Sequence, residues 1–100
     1  METKEFHFLV EDYDIIEKVS PSITKQLEKY FSFHLVTNKV DKIDYYCLRL
    51  RYRLLHHRNK RRFISLIHSC HVVACDLYRT SDFNGYMAFD ALMCHLMRMI

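Results

Sequence analysis

Four side chains, His71, Cys75, Cys94 and His95, are of the types that hold zinc. Structural zinc takes four His or Cys donors converging tetrahedrally, most often supplied as two close pairs. His71 and Cys75 lie four residues apart, a spacing that directs both toward one point on a helix. Cys94 with His95 could close the set from a final helix, and His68 is a spare donor. Against this, there is no C-x-x-C knuckle, and neighbours such as Cys94 and His95 diverge by about 100° on a helix. Cysteine is also a common plain core residue. The reading therefore assigns no metal and no cofactor, and keeps these four as the zinc candidates.

Nucleophilic catalysis asks for a thiol or hydroxyl beside a base that a third group orients. Cys70-His71 and Cys94-His95 are adjacent in sequence only, and adjacency on a helix does not make a dyad. A phosphate-cradling glycine loop is out of reach with a single Gly. No enzyme and no small-molecule substrate are expected, because no set of catalytic roles is assembled.

The chemistry the sequence does concentrate is cationic. Residues 45–62, YYCLRLRYRLLHHRNKRR, carry seven of the fifteen Lys and Arg residues and no acid. Residues 1–30 total −3, residues 31–62 total +7 and residues 63–100 total −1, which gives the net +3. A basic middle third can grip polyanions, an acidic protein face, or the chain's own acidic first segment. Arg49, Arg51, Arg53, Arg58, Lys60, Arg61 and Arg62 are the candidate contacts, with Tyr52 and its neighbours Tyr45 and Tyr46 available to stack on bases.

Two binding functions follow. The reading slightly favoured is a small non-enzymatic helical protein-interaction or regulatory module, its partner another protein or a second copy of itself. Glu11, Asp12 and Asp14 would meet the basic segment of the other copy, and Met93 and Met97 on a Met-rich C-terminal helix would add an adaptable surface. The alternative is nucleic-acid binding through the Arg/Lys cluster 49–62. Beside both stands the plain account in which the cations solvate one face and the methionines fill the core.

The elements that would position these groups depend on one ambiguity. As a helix, the basic segment places Ile43, Tyr46, Cys47, Leu50 and Leu54 on one face; as a strand, Leu48 to Leu54 alternates, with Arg49, Arg51 and Arg53 outward. With only one Gly and one Pro, tight hairpins look poorly supplied with residues able to take positive φ. The expectation is all-α, a compact bundle of about five short helices in one globular domain spanning residues 1–100. The alternative is α+β with a short antiparallel sheet including residues 48–54, in keeping with the abundance of Ile, Val, Thr, Tyr and Phe.

In chain order, Phe6, Val10, Tyr13 and Ile16 recur at helical spacing, although Phe6, Phe8 and Val10 also suit a short strand. Ser20-Pro21 restarts the chain with a cap and a proline in the first helical turn. Ile23, Leu27, Tyr30, Phe31 and Leu35 then form one stripe, predicting a helix that runs to Thr37-Asn38. Asp41 would cap the central segment and Arg58-Asn59-Lys60 would end it. Next comes a helix burying Phe63, Ile64, Ile67, His71, Ala74 and Tyr78, and a last one, capped by Asp82, placing Phe89, Leu92, Met93, Leu96 and Ile100 on one face. The four cysteines sit inside apolar runs, which suits reduced thiols in a cytoplasmic or nuclear protein. Neither a signal peptide nor a membrane span is evident, so an intracellular location is expected.

Overall fold

Phe31 takes φ −126° and ψ 146°, and at that residue the predicted long helix ends and a strand begins. The structure, a computed structural model, describes residues 4–51 and 57–100. Its contacts divide the chain into two units, Met1–Tyr52 and Arg53–Ile100.

In the first unit, β1 (Glu5–Leu9) runs into α1 (Val10–Val19). It is followed by α2 (Pro21–Tyr30), β2 (Phe31–Thr37) and β3 (Asp44–Leu50). The strands form an antiparallel sheet in the order β1-β3-β2. Alternation along each strand points Phe6, Phe8, Phe31 and Leu48 to one face, where all are buried. α1 covers that face with Tyr13 and Ile16, and α2 contributes Ile23, Leu27 and Tyr30 to the core. Aromatic rings meet edge to face, with Tyr13 5.3 Å from both Phe33 and Tyr46, and Phe6 5.5 Å from Phe31. Fully burying a Phe ring such as that of Phe31 is worth about 1.5–3 kcal/mol.

The second unit is a helical pair, α3 (His57–Arg79) and α4 (Phe83–Met97). α3 buries Phe63, Leu66, Cys70 and Ala74, spaced by three and four, and α4 buries Gly85, Ala88, Phe89, Leu92 and Leu96. Asp82 caps α4 by accepting the Gly85 N–H at 3.1 Å, as its sequence position predicts. A Cβ at Gly85 would lie 2.8 Å from Asp82 Oδ2 and 2.9 Å from Leu77 Cδ1, so the ends of those side chains would have to shift to admit it.

The all-α bundle of about five helices is overturned, and the fold is α+β, with four helices and three strands among the described residues. The central segment is the strand β3, not a helix, and its end lies at Leu50, so the alternative sheet segment 48–54 is met only at 48–50. Residues 52–54 lie outside the described residues. The scarcity of glycine misleads because the β2–β3 turn is built from side chains. Asn38 Oδ1 accepts the Val40 N–H at 2.8 Å and Asp41 Oδ1 the Ile43 N–H at 2.9 Å, while Lys42 itself takes φ 62°. Asp41 therefore shapes a turn and caps no helix.

Other boundaries also move. Pro21 opens α2 as expected, but the Ser20 side chain makes no capping bond among the described residues. Arg58, Asn59 and Lys60 do not end a helix; they lie on α3, which runs on to Arg79. On α3, Ile64 and Tyr78 are 46% and 58% exposed and His71 is exposed, because Leu66 and Cys70 take the inward positions assigned to them.

Candidate nucleic-acid interface

The basic block is split between the two units. Arg49, on β3, stands opposite Glu5 on β1 and pairs with its Oε2 through both Nε and Nη2 at 3.1 Å. The Cys47 thiol, which donates to the same oxygen at 3.4 Å, and the Arg49 guanidinium together hold the Glu5 carboxyl below the usual carboxylate range. Arg51 donates through Nε to the Phe31 carbonyl at 2.9 Å. Tyr52 and Arg53 lie outside the described residues.

Arg58, Lys60, Arg61 and Arg62 all fall in the first six residues of α3 and are exposed. The first turn of that helix has no acid, and the only acid along its 23 residues is Asp76. Asp76 pairs with Arg79 at 2.8 Å near the other end. Like charges three and four apart on a helix, as Arg58 stands to Arg61 and Arg62, repel by about 0.2–0.5 kcal/mol per pair. Local energetics thus oppose this cluster.

The acidic candidates lie on α1. Glu11 and Asp12 occupy the first turn of α1, where the dipole favours them, and Asp14 follows on the exposed surface. Partial burial, with Glu11 beside it, raises the Asp12 carboxyl above its ordinary value. Met93 is half-buried on α4, and Met97 is 56% exposed, as are Phe83 at 53% and Met87 at 66% elsewhere on the same helix.

Of the zinc candidates, the structure brings together His71 and Cys75, with Nε2 and Sγ 3.6 Å apart on the exposed side of α3. Cys94 is exposed on α4 and His95 is half-buried, its ring 3.5 Å from Arg98 Nη1. Burial first, and then Arg98, lowers the His95 imidazole below its ordinary value. Among the described residues no group of three or more His, Cys, Asp or Glu side chains converges as a metal site. Cys70 is buried while its neighbour His71 is exposed, so that adjacent pair is divided between core and solvent.

Sequence reasoning missed the outward face of the sheet. Register aligns three rows across β1, β3 and β2: Leu9-Tyr45-Val36, His7-Cys47-His34 and Glu5-Arg49-Ser32. The signal was the period-two pattern of Glu5-Phe6-His7-Phe8-Leu9, which puts His7 on the side opposite Phe6 and Phe8.

No helix among the described residues is long and apolar enough to cross a membrane. The class defined by this architecture is α+β, a three-stranded antiparallel sheet with two helices followed by a helical pair. Comparison with protein-family models, curated proteins and solved structures found no match.

Proposed function

We propose that the protein binds nucleic acid through the basic opening turns of α3. The observation that carries this reading is the exposed cluster Arg58, Lys60, Arg61 and Arg62 on α3, like charges three and four apart with no acid along the helix before Asp76. Such a local conflict is expected where function outweighs stability. A polyanion resolves it, because phosphates offset the repulsion and release their counterions on binding. The acidic residues of α1 need no such partner, since their own helix end accommodates them.

Titration of the full chain against labelled duplex DNA across about 50–200 mM salt tests the reading. The expected log-log slope is about −0.9 per phosphate neutralised, and replacing Lys60, Arg61 and Arg62 with Ala flattens it by about one unit per lost contact. Binding that ignores salt, or no binding to either duplex or single strand, overturns it.

A second reading, a protein partner or a second copy of the chain, is favoured by the outward apolar residues Phe83, Met87 and Met97 along α4. Light scattering at two concentrations tests self-association through this face. A strictly monomeric mass at high concentration, unchanged by Met87→Lys and Met97→Lys, overturns it.

A further inference from the structure

The three outward rows of the sheet lie on the side away from α1, since Tyr13 of that helix meets Phe33 and Tyr46 on the other. His7, His34, Val36 and Arg49 are exposed there and Tyr45 is half-buried. An antiparallel sheet with one solvated face ordinarily fills that face with chain-like polar side chains. Here three of the nine positions are flat rings, His7, His34 and Tyr45, set around the short side chain of Cys47. His7 and His34 stand on the two outer strands, roughly 10 Å apart by strand spacing.

We infer that this face binds an unpaired stretch of a nucleic-acid strand, its bases stacking on His7, His34 and Tyr45. The inference rests on the nucleic-acid reading above and adds to it the substrate class, single-stranded rather than duplex, and a second contact surface. Every base has a π face, so rings spread over a sheet grip unstacked bases without regard to sequence. A duplex keeps those faces inside its own stack and offers nothing to a flat array of rings. Charge fits the same occupant. Continuing the outward parity of β3, Arg49 and Arg51 follow Tyr45 and Cys47 toward one end of the face, against the single acid Glu5. The Arg51 guanidinium is anchored by the Phe31 carbonyl, so little side-chain freedom remains to be lost when a phosphate arrives, while Glu5 offsets part of the Arg49 charge.

The test uses the full chain and two labelled probes, a 12-nucleotide single strand and a hairpin duplex containing the same sequence. The single strand is expected to bind more tightly. His7→Ala with His34→Ala, and separately Tyr45→Ala, each weaken single-strand binding by about tenfold or more while leaving the duplex unchanged. Tyr45→Phe and His34→Phe retain single-strand binding, because a ring remains to stack, and these also answer any loss of fold in the Ala variants. Single-strand affinity unaltered in the His7, His34 and Tyr45 Ala variants overturns the inference while leaving the α3 reading intact. Loss of all binding when Lys60, Arg61 and Arg62 become Ala, with the sheet variants silent, has the same meaning. Equal competition by polyglutamate and by unlabelled strand also overturns it, since a general anion surface does not need rings. Failure of wild type to bind either probe removes the nucleic-acid reading itself.

Discussion

Glu5 and Arg49 occupy the same cross-strand position on β1 and β3, and their side chains meet at 3.1 Å with about half of each exposed to solvent. A pair this open contributes little to stability, and its worth is further screened by salt. Its larger effect is on the field of the sheet face, where it removes one of two cations from circulation. Glu5→Gln should therefore leave the melting temperature nearly unchanged while tightening single-strand binding by about three- to tenfold at low salt, with the gain fading as salt rises. A thermal melt and a salt series of binding isotherms check both halves.

The thiols should divide into two reactive and two protected. Cys75 and Cys94 are exposed, whereas Cys47 and Cys70 are buried. Burial pushes the Cys70 thiol up to about 12, and burial followed by the neighbouring Glu5 raises that of Cys47. Nucleophilic attack requires thiolate, so a disulfide reagent should titrate two thiols rapidly in the native protein and the other two only as it unfolds. Cys75→Ser and Cys94→Ser together should abolish the rapid phase.

Alkaline pH should destabilise the fold. Burial, with Glu28 and Glu17 nearby, raises the Tyr13 hydroxyl from its ordinary 10.0 to about 12. Cys70 rises from 9.0 to about 12. In each case the unfolded chain loses its proton first and the folded one holds it, so stability falls as pH climbs from about 9 toward 12. Tyr13→Phe keeps the ring against Phe33 and Tyr46 but removes one titrating group, and denaturant melts between pH 8 and 11 should show a shallower decline for that variant.

Gly85→Ala sets two effects against each other. Alanine gains about 1 kcal/mol of helix propensity over glycine. Its Cβ, however, falls 2.8 Å from the capping Asp82 carboxylate and 2.9 Å from Leu77 Cδ1. Displacing the cap costs about 1 kcal/mol and crowding Leu77 a further 1–3 kcal/mol, so a net loss of about 1–3 kcal/mol is expected. Adding Asp82→Ala should then cost less than it does in the wild-type background, because the cap is already displaced; a double-mutant cycle reads this coupling.

The restart at Ser20-Pro21, the Asp82 cap and the Ile23-Leu27-Tyr30 stripe of α2 were legible because each depends on neighbours in the chain. The β2 strand was not. Phe31 and Leu35 extend the stripe by fours, and a step of four is also a multiple of two, so both residues also share one face of a strand. What separates the readings is pairing with β3, which brings Phe33 opposite Leu48 across a long sequence gap. The same gap hid the sheet platform, because His7, Cys47 and His34 become neighbours only once three strands are in register. The cations of α3 were visible as a block, but their place on the same helix as Phe63 and Leu66 was not, since the segment was read as the end of the preceding element.

The strand order β1-β3-β2 leaves β2 on the rim of the sheet. Its seven residues, Phe-Ser-Phe-His-Leu-Val-Thr, include no Lys, Arg, Asp, Glu, Pro or Gly, and Leu35 near its end is 64% exposed. Proteins ordinarily guard such a rim with charge, proline or a bulge, because an unguarded one templates further strands. Heating or long storage at high concentration should accordingly convert the protein into dye-binding fibrils seeded from residues 31–37. Leu35→Lys places a gatekeeper charge on that strand and should lengthen the lag before fibrils appear, whereas the same change at exposed Ile64 on α3 should leave it unaltered.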